Sequence, residues 1–190
     1  MRAAPAVKPL GSVVSRLKAF GKDFSRDERG FTAVEFAMVA MPFLMLLFGT
    51  IAVGLYFFTT FTLENAVEKA ARQIRTGQAQ TAGKTTSQFK DDVCSYAPGY
   101  VDCVSNLRVN VASFSSFSAI APPSCTDSAG DLIPDPTPAA VPGAAGDVVL
   151  VTVCYEWELA GALPFLKLGD MNNGSAMIQA STTFRTEPYN

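Results

Sequence analysis

The hydrophobic and polar positions of this chain fall into three regimes. Residues 1–29 are polar and basic, and only Val13, Val14, Leu17, Phe20 and Phe24 are spaced to line one side of a short amphipathic helix. The texture changes abruptly at Phe31. The 33 positions from Phe31 to Leu63 hold one charge, Glu35, and the 28 from Phe36 to Leu63 hold none. About 20 apolar residues suffice to cross a bilayer. The run is too long for the apolar part of a signal peptide, and no small-residue cleavage site follows it. The pattern therefore predicts a transmembrane helix over residues 31–63.

The helical period persists past the apolar run. Leu63, Ala66, Val67, Ala70, Ala71 and Ile74 recur at spacings of three and four, and Glu68 and Arg72 form an i,i+4 pair. Gly77 supplies a stop. This predicts an extension over 64–77, continuous with the span from Phe31 to Thr76, with Pro42 bending or locally opening the helix.

Residues 78–190 change pattern again. Ser87–Tyr96 suits a short helix. Leu107–Val111 alternates like a strand, which Ser113–Ser118 continues. Six prolines between positions 121 and 146 mark a long loop. Asp147–Leu159 is the strongest strand, rich in β-branched and aromatic residues, and Met177–Arg185 is another. The expected fold class is α+β: a long N-terminal transmembrane helix extending into a small domain with an antiparallel sheet of about three strands packed on the extension.

Charge then gives the expected orientation. Residues 1–30 carry seven Lys/Arg against three acids, which makes this leader +4 and leaves −6 for the rest of a chain of net charge −2. A basic flank stays cytoplasmic, so the C-terminal domain is expected in the periplasm. An acidic domain lacks the basic surface of nucleic-acid binders. The chain has no histidine, the commonest general base and a common metal ligand. Its four cysteines, Cys94, Cys103, Cys125 and Cys154, all follow the apolar run, and none has C-x-x-C spacing. An even count beyond a membrane reads as two disulfides in an oxidising compartment. Of the three possible connectivities, the favoured one is Cys94–Cys103, closing a loop around Pro98 and Gly99. Cys125–Cys154 then ties the proline-rich loop to the strongest strand.

The border between leader and apolar run reads D27-E28-R29-G30-F31-T32-A33-V34-E35-F36-A37. A basic leader ends in glycine, an aromatic residue follows, and a glutamate sits five positions after the glycine. This resembles the type IV prepilin signature, and in particular the TadE family of minor pseudopilins of the tight-adherence (Tad/Flp) pilus system. The V34-E35-F36-A37 string, Pro42, L63-E64-N65-A66 and the ending F184-R185-T186-E187-P188-Y189 are similar to that family. The resemblance implies cleavage between Gly30 and Phe31 by a prepilin peptidase and residence in a bacterial inner membrane. It also implies entry into, or initiation of, a pilus-like assembly with other pilins, pseudopilins and the Tad machinery.

The chemistry of Glu35 agrees with this expectation. A carboxylate in a transmembrane helix costs about 2.5–3.5 kcal/mol or more on insertion scales. Cleavage after Gly30 would create an α-amine at Phe31, a cation at neutral pH. Within one chain or between neighbours, that cation and Glu35 would form a pair that sets register, because a misplaced subunit leaves a buried charge unpaired. Gly30 lets a protease approach the backbone. Ala33 and Ala37 form a small-xxx-small pair suited to helix packing.

Elsewhere the residues point to no chemistry. Asp91, Asp92 and Asp102, and Asp127, Asp131 and Asp135, read as solvated loop carboxylates and not a calcium loop. Glu156 and Glu158 are expected on one strand face opposite a core Trp157. No catalytic residue, metal, cofactor or small-molecule substrate is expected, and the chain is not expected to be an enzyme. The alternative to a pseudopilin is an unprocessed single-pass anchor presenting a small periplasmic binding domain.

Overall fold

The uncharged run and the periodic stretch after it form one helix, α1, from Arg29 to Arg75. The computed structural model describes residues 29–189; the amphipathic pattern through Phe24 lies outside the described residues. α1 runs through Pro42 without interruption. The chain divides into two compact units, the first ending at Gly49 and the second beginning at Thr50.

In the first unit, no described position from Phe31 to Gly49 is buried. A helix apolar all round, with no buried position among these described residues, suits an apolar surround. It is the one helix among the described residues long and apolar enough to cross a membrane.

In the second unit, the same helix acquires a buried stripe. Ala52, Thr59, Leu63, Ala66, Val67, Ala70, Ala71 and Ile74 are buried, at the spacings of three, four and seven that place residues on one helical face. From Leu63 on, they share a core with one face of a three-stranded antiparallel sheet in the order β1 (Leu107–Phe114), β2 (Val148–Trp157), β3 (Ala176–Arg185). The register runs from Leu107↔Tyr155 to Phe114↔Val148 on one side of β2. On the other side it runs from Val148↔Arg185 to Trp157↔Ala176. Period-two alternation then puts Val149, Val151, Val153, Tyr155 and Trp157 toward α1, with Val109, Ile178 and Ala180 beside them. Burying each Leu, Ile or Val there contributes about 1.5–3 kcal/mol.

Val148, Leu150, Thr152 and Cys154 of β2 are buried as well, on the opposite face. The proline-rich segment lies across that side, held by the Cys125–Cys154 disulfide (Cα–Cα 5.6 Å). It is also pinned through its backbone: Thr86 N–H donates to Ala139 O at 2.8 Å and Val141 N–H to Lys84 O at 2.9 Å. Asp135 accepts from Val109 N–H at 3.0 Å, covering part of the free edge of β1, and pairs with Lys90 Nζ at 2.7 Å.

Two short helices precede the sheet, α2 (Gln78–Thr81) and α3 (Thr86–Tyr96). α3 starts one residue before the expected Ser87, because Thr85 and Gln88 form a reciprocal capping box. Phe89 and Val93 bury its inner face. Cys94 pairs with Cys103 across a Cα–Cα distance of 6.0 Å. Both disulfides are the pairs favoured from the sequence.

Three local expectations differ from the structure. Glu158 is not on the strand with Glu156: β2 ends at Trp157, and Glu158 caps the short helix α4 (Leu159–Ala162) in a helical conformation. Glu68 does not pair with Arg72; its carboxylate accepts the Thr182 hydroxyl at 2.9 Å, since β3 lies within reach. β1 ends at Phe114, and a 3-10 turn at Phe117–Ala119 follows.

The C-terminal string docks onto the end of α1. Glu187 N–H donates to Arg75 O at 2.8 Å, and the Tyr189 hydroxyl donates to Gly143 O at 2.6 Å. Gly77 turns the chain there with φ +76°, and a Cβ at that position would run into the Tyr189 ring.

Candidate functional site

The residues expected to carry function lie at the start of α1. The Gly30–Phe31 bond falls in its first turn. Phe31 is 71% exposed, and Val34, Glu35 and Phe36 are exposed as well. Four residues make little more than one turn, so Phe31 and Glu35 lie on the same side of the helix. Among the described residues, Glu35 forms no ion pair. It is also the only acid in α1 before Glu64. Ala33 and Ala37 are one turn apart and both exposed, leaving room for another helix to approach. The structure thus places the single acid of this part of α1 about one turn from the expected new terminus. That arrangement places a carboxyl group and exposed apolar side chains together at the start of α1.

The four cysteines are distant from this region in sequence and brace the second unit. Several carboxylates of that unit brace its loops. Asp102 accepts from the backbone N–H groups of Val104 and Ser105, each at 3.0 Å. These bonds, chiefly that from Ser105, hold its pKa below the usual aspartate value. Asp127 is lowered in the same way by the N–H groups of Asp131 and Ala129. Burial pushes Tyr155 up.

Two surface clefts flank the proline-rich segment. One, of about 300 Å³, lies between Thr86, Lys90, Asp135 and Pro138, and the Lys90–Asp135 pair spans it. The other, of about 320 Å³, is lined by Arg108, Ser124, Pro134 and the Cys125–Cys154 bridge. Neither joins a nucleophile to a general base. Among the described residues, no group of three or more Asp, Glu or Cys side chains converges to hold a metal ion.

Sequence reasoning missed the anchoring of α1 to the domain at its middle. Tyr56 packs edge-on against Trp157, with ring centroids 5.6 Å apart, and its hydroxyl donates to Met177 O at 3.4 Å. Phe58 stacks on Tyr100 at 6.3 Å. The cluster of polar-tipped residues late in the apolar run, Tyr56, Thr59, Thr60 and Thr62, is the sequence signal that could have found these contacts. Burial against the domain consequently starts at Ala52, inside the stretch expected to be transmembrane.

Residues 30–72 match the family model TadE, described as TadE-like protein. That segment of the chain is TadE-like. The match lies wholly within α1 and includes Phe31, Glu35, Pro42 and most of the stripe that packs on the sheet. No curated protein and no solved structure matches the chain. The match covers 43 of the chain's 190 residues.

Proposed function

We propose that this TadE-like chain is a minor pseudopilin-like structural subunit for assembly of a Tad-type adhesive pilus. In this reading a prepilin peptidase cuts between Gly30 and Phe31. The observation that carries it is the start of α1: Gly30–Phe31 in the first turn, a lone Glu35 one turn on, and an uncovered apolar helix behind them. The TadE match over the same residues supports it.

The helix occupies the inner membrane from Phe31 to about Ile51, close to the 20 residues a bilayer needs. The basic leader stays in the cytoplasm and the disulfide-bonded domain faces the periplasm. After cleavage, the Phe31 α-amine and Glu35 attract each other or the matching groups of a neighbour. Removal from the lipid favours the subunit whose charges are paired. The partners are the peptidase, other pilins and pseudopilins, and the Tad assembly machinery. The role is structural and not catalytic, in keeping with a chain that has no histidine.

The decisive measurement is the mature N-terminus, by mass spectrometry of protein isolated from its own host. A chain beginning at Phe31 is expected. Glu35→Ala should then be cut normally yet be lost from the assembled fraction. An uncut chain, with the peptidase active on another substrate, overturns the proposal and leaves a simple membrane-anchored domain.

A further inference from the structure

Strand register fixes what lies at each end of the sheet. Leu107, Tyr155, Trp157 and Ala176 share one end, and Phe114, Val148 and Arg185 share the other. The first end lies beside Tyr56 of α1, through the Trp157 ring and Met177 O. The second lies beside Arg75, through Glu187. The two connections at the first end are residues 97–106, which lead into Leu107, and residues 158–175, which join Trp157 to Ala176.

Exposed large apolar side chains collect at that end. Of the seven described in the chain after α1, Tyr96, Tyr100, Val104, Leu159 and Phe165 belong to these connections or border them; only Phe117 and Ile133 lie elsewhere. The adjoining turns of α1 add exposed Phe57, Phe58 and Phe61. Phe58 stacks on Tyr100, and Thr62 Oγ1 lies 3.5 Å from the Tyr100 hydroxyl. Soluble domains seldom concentrate exposed aromatics at one end without a use. Counted from Phe31, these turns lie about two to three turns beyond the roughly 20 residues that cross a bilayer's apolar core, toward the headgroups. Aromatic side chains with polar tips are enriched at that depth, where the ring sits among acyl chains and the tip among headgroups.

We propose that this end of the domain is a membrane-seating surface: Tyr100, Val104, Leu159 and Phe165 dip into the headgroup–acyl boundary of the membrane that α1 crosses. The proposal rests on the reading of α1 as a membrane span. The occupant is lipid and not an anionic partner, because the two connections carry Asp102, Glu158 and Asp170 against a single Lys167. Attachment therefore depends on apolar and aromatic insertion and holds on a zwitterionic bilayer. Seating fixes the domain relative to the membrane plane before assembly, and leaving the membrane requires these side chains to be covered again.

The full chain is reconstituted in phosphatidylcholine vesicles containing lipids brominated at shallow acyl positions. The lone Trp157 is replaced by Phe, and single tryptophans are introduced by Phe165→Trp, Tyr100→Trp, Phe117→Trp or Leu46→Trp. All four replaced side chains are large and exposed. The expected result is quenching of Phe165→Trp and Tyr100→Trp several-fold stronger than that of Phe117→Trp at the far end, with Leu46→Trp also quenched. Strong quenching at Leu46→Trp with Phe165→Trp and Tyr100→Trp no different from Phe117→Trp overturns the seating while leaving the span intact. Shielding at positions 100 and 165 that grows with protein density and not with brominated lipid also overturns it, in favour of a second copy. No quenching at Leu46→Trp overturns the span and the seating together.

Discussion

Truncating Leu63 separates the two uses of α1. Leu63 is 0% exposed and sits in the core shared by helix and sheet; Leu46, on the same helix, is 68% exposed. Leu→Ala at a buried site costs the transfer free energy of the lost atoms plus a cavity term, about 3 kcal/mol here. That is roughly a 150-fold change in the unfolding equilibrium. With a urea slope of about 2 kcal/mol per molar, the midpoint falls by about 1.5 M. Leu46→Ala creates no cavity in the domain and should change its stability by less than about 0.5 kcal/mol. The reporter is built in: Trp157, the chain's one tryptophan, is 5% exposed and packs on Tyr56, so its emission shifts when the domain opens. The assay is urea unfolding of the full chain in detergent, followed by that emission. Equal shifts for the two variants, or a Leu63→Ala loss below about 1 kcal/mol, would refute the assignment of the 52–74 stripe to the domain core.

Other expectations follow from single contacts. Thr152 Oγ1 is buried with no hydrogen-bond partner among the protein atoms, so Thr152→Val should raise stability by about 1 kcal/mol in the same assay; a loss of that size would show that the hydroxyl is satisfied in solution. Gly77→Ala forces a side chain into the left-handed region and against Tyr189, costing about 1–3 kcal/mol and loosening the C-terminal string; faster proteolytic trimming of that string than in the wild type is the readout. Asp102 has a folded pKa below its ordinary value, so its stabilising effect is complete above that ordinary value and is lost as pH falls through the lowered one. Asp102→Asn should therefore flatten the acid limb of the stability–pH curve, and an unchanged limb would argue against the backbone bonds from Val104 and Ser105.

The sequence by itself determined the elements whose signals are local. An uncharged run of 28 residues has no ordinary place in a domain of this size, and the near-continuous β-branched and aromatic run of 148–157 marks a strand. The Gly30–Phe31–Glu35 border was legible because it is contiguous, and the TadE match falls on the same stretch. Disulfide pairing was partly legible because a nine-residue separation with Pro98 and Gly99 between favours closure.

Only the tertiary structure decided where the apolar run begins to pack on the domain. Hydropathy is the same for a side chain facing lipid and one facing a sheet, so Tyr56 and Leu63 read as span until Tyr56 is seen packed on Trp157 and Leu63 in the core shared with β2 and β3. The choice of Thr182 over Arg72 by Glu68, and of Lys90 by Asp135, had the same origin: each partner lies at least 45 positions away. The gathering of Tyr100 and Phe165 at one end of the sheet also came from folding. Strand register, set by long-range pairing and not by any local pattern, brings those connections to the same end of the domain.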